Sequence, residues 1–133
     1  MIQINPQYSE AAYNLARLLS KTNPEEAKHL QNQLEAQQAE QHITDRAQII
    51  GNFALTSADA HDWPKAISQL KEGIQLCGDC RAKPLLHKDL GLIYCRSGDL
   101  KNARDELLQA RKLSPDDPDV AQALKIIATM QKQ

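Results

Sequence analysis

Residues 84–115 read PLLHKDLGLIYCRSGDLKNARDELLQARKLSP, and this stretch decides the fold. Two segments of helical length flank a Ser97-Gly98-Asp99 turn. The first carries Leu90, Gly91 and Tyr94, the second Ala103, Leu107 and Ala110, and Pro115 stops it. Proline lacks the backbone donor a helix interior needs, so it punctuates rather than continues. Gly91 and Ala103 are small enough to let two helix backbones approach closely, while Leu90 is large enough to fill the space between layers.

The same arrangement slides upstream. Phe53, Ala54 and Ser57 repeat the first segment, and Ala66, Leu70 and Gly73 repeat the second. From Ala54 to Ala66 is 12 residues, as from Gly91 to Ala103. Further back, Leu15, Ala16 and Leu19 open a third copy, with Ala27 at the second small position, one residue early. Leu15 and Phe53 are expected to fill the space between layers, as Leu90 does. Turn signals separate the segments: Asn23-Pro24, Asp62-Trp63-Pro64, Gly78-Asp79 and Pro115-Asp116-Asp117-Pro118. No stretch alternates with period two. The chain reads as all-α, with helices joined by short turns.

Taken together, His87-x2-Leu90-Gly91-x2-Tyr94, Ala103-x3-Leu107 and Pro115 resemble the tetratricopeptide repeat (TPR), whose pattern is W-x2-L-G-x2-Y, A-x3-F and P over 34 residues. His87 stands where the leading aromatic would be. The resemblance implies an α-α solenoid, a right-handed superhelix of helix hairpins, each hairpin unable to bury its apolar face without a neighbour. It divides the chain into repeats at about 9–43, 47–80 and 84–117, with a C-terminal capping helix at 118–132. The first helices recur at intervals of 38 and 37 residues, from Ala16 to Ala54 to Gly91. The excess over the family period falls in the polar segment HLQNQLEAQQAEQH, expected to be an extended and largely exposed helix, and in the loop CGDCRAK.

Both ends fit this scheme. Residues 1–6, MIQINP, resemble the end of a preceding repeat, as in the C-terminal part of a longer array. The first hairpin would then expose Ala12, Leu15 and Leu19, a surface for self-association. At the other end, Asp116 or Asp117 is an N-cap and Pro118 a first helical residue. Val120, Leu124 and Ile127 form one apolar stripe, with Gln122, Lys125 and Thr129 facing away.

Composition narrows the function. The 133 residues carry a formal net charge of −1, which offers no electrostatic attraction for nucleic acid or anionic membrane. No apolar run approaches the ~20 residues that span a bilayer. Met1 is not followed by a basic segment and an apolar core, so no signal peptide is read, and a cytoplasmic setting is the default unless upstream residues are missing. No nucleophile–base pair and no phosphate-binding glycine loop is present, so the chain reads as non-enzymatic with no cofactor. His42 and His61 are expected to be solvated, and His87 to be a half-buried spacer. Cys77, Gly78, Asp79 and Cys80 form a CxxC at a helix C-terminus, where the helix dipole opposes a thiolate. Free thiols, a Cys77–Cys80 disulfide, or a metal- or redox-responsive site of Cys77, Cys80 and His87 are the alternatives; Cys95 lies too far along its helix to close a four-ligand zinc site.

The family resemblance also implies where a partner binds. First helices line the concave face, which assigns a peptide groove to Tyr13, Arg17 and Lys21, to Gln48, Leu55 and Asp59, and to Lys88, Leu92 and Arg96, with Glu10, Gly51, Leu85 and Cys95 beside them. Some family members clamp a C-terminal carboxylate with a Lys/Asn pattern; here only Lys88 matches, and Arg17 and Leu55 replace Asn. The expected function is a protein-interaction scaffold or adaptor that binds a protein or peptide segment with acidic and apolar side chains.

Overall fold

The helices begin and end where short polar side chains and glycines can satisfy them. The structure is a computed structural model that describes residues 6–132, with side chains described from Glu10 onward. It contains six helices and, among the described residues, no strand: α1 (Pro6–Thr22), α2 (Pro24–Asp59), α3 (Trp63–Cys77), α4 (Lys83–Ser97), α5 (Leu100–Leu113) and α6 (Pro118–Gln131). Asp62 caps α3 by accepting from the backbone N–H of Lys65, Asp99 caps α5 through Asn102, and Asp117 caps α6 through Asp119. Each carboxylate satisfies an otherwise orphaned donor at a positive helix end. Gly98 ends α4 at φ 91°, a left-handed conformation that glycine adopts without Cβ strain. Of residues 1–6, expected as the end of an earlier repeat, 1–5 lie outside the described residues and Pro6 opens α1.

The chain divides into two compact units, Met1–Ile43 and Thr44–Gln133. In the first, α1 packs on the N-terminal part of α2 around Ala16, Ala27 and Leu34. Tyr13 donates its hydroxyl hydrogen bond to Gln38 Oε1 at 3.0 Å across this pair. Leu15 and Leu18 remain 51 % and 70 % exposed. Ala12 and Leu19 are half-buried, so the outward apolar surface of α1 sits at Leu15 and Leu18 rather than at Leu19.

The second unit holds the main core. Leu70, Leu86, Leu90, Ile93, Leu107, Val120 and Ile127 are its largest fully buried side chains. The small residues expected at helix crossings are there: Ala54, Ala66 and Ala103 are fully buried, and Gly91 is pressed against Leu107 and the carbonyl of Ala103. Gly73 meets Ile50 and the Ala47 carbonyl of α2. Gly51, assigned above to the groove, instead lies buried at a crossing with Leu86.

Two expectations change. Residues 41–48, QHITDRAQ, contain neither proline nor glycine, and α2 runs unbroken for 36 residues through the join between the first two expected repeats. Nothing there releases a backbone hydrogen bond, so no turn forms. Phe53 and Leu15 also do not fill an inter-layer space: Phe53 is 60 % exposed, beside an exposed Ile49, whereas Leu90 at the equivalent place is buried. The helix α6 behaves as expected, burying Val120 and Ile127 and exposing Gln122, Lys125 and Thr129, though Ile126 and Met130 are also exposed.

Candidate functional site

A stripe on α4 organises one face of the second unit. Lys88, Leu92 and Arg96 recur every four residues and so share one side of the helix, about 12 Å from first to last. The two ends of the stripe are tied to different helices. Lys88 Nζ donates to Asp117 Oδ2 at 3.1 Å and to Asp119 Oδ2 at 3.2 Å, both at the start of α6. Arg96 Nη2 lies 3.4 Å from Asp59 Oδ1 at the end of α2, and its guanidinium stands 5.4 Å from the centroid of the Trp63 ring. Cation–π attraction and the ion pair together hold Arg96 in place.

The helices α2 and α4 touch at two levels, met in the same order along each. Gly51 meets Leu86 at one level and Asp59 meets Arg96 at the next, so both chains advance together. Leu55 lies one turn before Asp59, and Leu92 one turn before Arg96. The two leucines therefore sit on the same side, Leu55 exposed and Leu92 half-buried, between the charged ends. Asp89 lies one turn before Leu92 on this helix.

The electrostatics differ from what the sequence suggests. Desolvation opposes the charge on Lys88, but hydrogen bonds and attraction from Asp117 and Asp119 outweigh it and raise the ammonium above its usual range. The Lys88 hydrogen bond holds the Asp117 carboxyl below the usual carboxylate value, against a smaller opposing desolvation. Asp89 moves the other way: burial lifts its carboxyl, and the neighbouring Lys88 charge only partly offsets this. Lys88 and Arg96, two of the four cations assigned to the groove, are thus paired with carboxylates of the chain itself.

The remaining predicted groove residues fall in two places. Gln48 is exposed on α2. Tyr13, Arg17 and Lys21 belong to the first unit, where Arg17 donates to Asn14 Oδ1 and Lys21 lies exposed in the last turn of α1. Leu85 is exposed on α4, and Cys95 is a half-buried free thiol. Trp63, Asp89, Asp117 and Asp119 were not predicted. Asp117 carries only a helix-start signal in the sequence, and no local motif links it or Asp119 to Lys88 some 30 positions away.

The cysteine loop has its own chemistry. Cys77 and Cys80 form a disulfide across Gly78 and Asp79. Both sulfurs are engaged, and the Nδ1 of His87 pairs with Glu106 Oε2 at 2.6 Å, linking α4 to α5. The three candidate metal ligands are therefore committed elsewhere, and among the described residues no group of three or more such side chains converges. His61 is exposed at φ 61°, with its ring 5.4 Å from that of Trp63. No described helix is long and apolar enough to cross a membrane.

Neither a scan against protein-family models nor a search of curated proteins returns a match for this chain.

Proposed function

We propose that this chain is a non-catalytic interaction module, with its helices stacked as TPR-like hairpins in an α-α solenoid, and that it binds a segment of another protein along the α4 stripe. The carrying observation is the stripe itself: two leucines, Leu55 and Leu92, flanked by held charges on three helices. The small residues buried at helix crossings support the stacking. An apolar side chain of the partner covers Leu55 and Leu92, where burial contributes about 25 cal/mol per Å² of apolar area. Asp89 and the exposed Asp59–Arg96 pair supply an acceptor and exchangeable charges at the rim, which favour register over affinity.

Peptide display against the immobilised chain tests this. Selected peptides should share an apolar anchor beside polar positions, and Leu92→Asp or Arg96→Glu should lose them while keeping the wild-type circular dichroism spectrum. Equal capture by wild type and both variants would remove the α4 face as the site.

Exposure of Leu15 and Leu18 favours a second reading, self-association through the first unit. A groove of about 360 Å³ runs beside Leu15 between α1 and α2, lined by Ala11, Ala12, Leu30 and Leu34. Sedimentation velocity would show a concentration-dependent dimer that Leu15→Glu abolishes; a monomer at all concentrations rejects it.

A further inference from the structure

Elsewhere on the second unit, three cations with no ion pair among the described residues gather at one groove. A groove of about 380 Å³ opens between α5 and α6. Its floor is apolar, made by Leu108 and Leu124, both half-buried, and Ala128. Its walls carry Arg104, Arg111 and Lys132, and no acidic side chain lines it. Two acids follow Arg104 on α5: Asp105 is exposed and outside the groove lining, and Glu106 is held by His87. Asp117 and Asp119 at the start of α6 are held by Lys88. Among the described residues none of the groove's three cations forms an ion pair.

The spacing is specific. Arg104 and Arg111 are seven residues apart on α5, about 10.5 Å along the axis, with Leu108 between them. The chain reverses between α5 and α6 through Ser114–Asp117, which brings the end of α6 with Lys132 toward the Arg104 end. Charge therefore stands at both ends of the groove and hydrocarbon in its middle.

We infer that the α5–α6 groove is a second docking surface, which takes an acidic segment of another protein whose carboxylates flank apolar side chains. Guanidinium groups pair with carboxylates in a planar, two-pronged geometry, and a partner leucine or phenylalanine would cover Leu108 and Leu124. Charge complementarity selects this occupant over an apolar or basic one, because three unopposed cations repel the latter and strand the former's rim. This surface is separate from the α4 stripe and does not depend on it.

The test uses the full chain, labelled with nitrogen-15, and a short synthetic peptide of leucine pairs flanked by glutamates, with no cation. Titration should shift the amide resonances of 104–111 and 124–132 in a saturable way. Raising the salt concentration should weaken binding, and the all-glutamine version of the peptide should bind about tenfold more weakly or worse. Arg104→Glu with Arg111→Glu should lose at least about tenfold in affinity, whereas Lys71→Glu, at an exposed α3 position outside both surfaces, should leave it unchanged. Thermal denaturation of each variant verifies its fold, and Arg111→Gln, a milder change, gives an intermediate loss. Absence of shifts in these segments, equal binding of the glutamine peptide, or an equal loss on Lys71→Glu would each overturn the inference. So would self-association that Arg111→Glu abolishes, which would make the occupant a second copy, or a preference for vesicles of phosphatidylserine over the peptide.

Discussion

Replacing Gly91 by alanine should loosen the close crossing of α4 with α5. A Cβ built there would lie 2.7 Å from Leu107 Cγ, 3.0 Å from Leu107 Cδ2 and 3.2 Å from the carbonyl oxygen of Ala103. The first atom is a branch carbon of a fully buried leucine and the last is backbone, so neither swings aside without moving α5 from α4. Overpacking of this kind costs about 1–3 kcal/mol, and contact with backbone places it at the upper end. Alanine recovers about 1 kcal/mol of helix propensity over glycine, so the net cost is about 2 kcal/mol. For a unit of this size that lowers Tm by about 8–16 °C, read by circular dichroism at the helical minimum. Gly51→Ala is the internal control. Its Cβ would come within 3.2 Å only of Leu86 Cδ2, the far end of a side chain, so the same propensity gain leaves stability near wild type. Leu107→Ala alone should cost about 2–5 kcal/mol. Combined with Gly91→Ala it should cost less than the sum, because the added methyl enters the space the leucine vacates. A Gly91→Ala protein as stable as Gly51→Ala, or strict additivity with Leu107→Ala, would refute this account of the crossing.

Three further outcomes follow from other contacts. The Lys88–Asp117 contact should tie α6 to α4 only within a pH window. Asp117 has a lowered folded pKa, so its contribution is present above the ordinary value of 3.8 and is lost as pH falls through the folded value; Lys88 has a raised folded pKa, so its contribution is present below 10.5 and is lost as pH rises past it. In Lys88→Met, hydrogen exchange of the α6 amides should speed up by as much as about fivefold at neutral pH and lose most of this pH dependence. Thr44 buries a hydroxyl with no hydrogen-bond partner among the described residues, so Thr44→Val should raise stability by about 1 kcal/mol in denaturant titration. Reducing the Cys77–Cys80 bridge opens a four-residue loop, which on loop-closure grounds should cost about 2 kcal/mol, measured as a lower Tm with a phosphine reductant and matched by Cys77→Ser with Cys80→Ser.

Much of the local structure could be read from the chain. Asn23-Pro24, Asp62, Asp99 and Asp117 mark helix starts because capping needs only residues a few positions apart, and the helices begin there. Ala16, Ala54, Ala66, Gly91 and Ala103 are buried as their period implied. The join between the first two expected repeats falls inside α2, because residues 41–48 hold no proline or glycine to interrupt a helix.

The sequence alone determined that this is an all-helical chain with small residues at its crossings, because helical period, caps and side-chain size act over one or two turns. Only the tertiary structure decided which charges are spent and which are free. Lys88 finds Asp117 across 29 positions and Arg96 finds Asp59 across 37, while Arg104 and Arg111 form no ion pair among the described residues. Ion pairing depends on distances of a few ångströms between residues far apart along the chain, and that proximity exists only once the helices have packed.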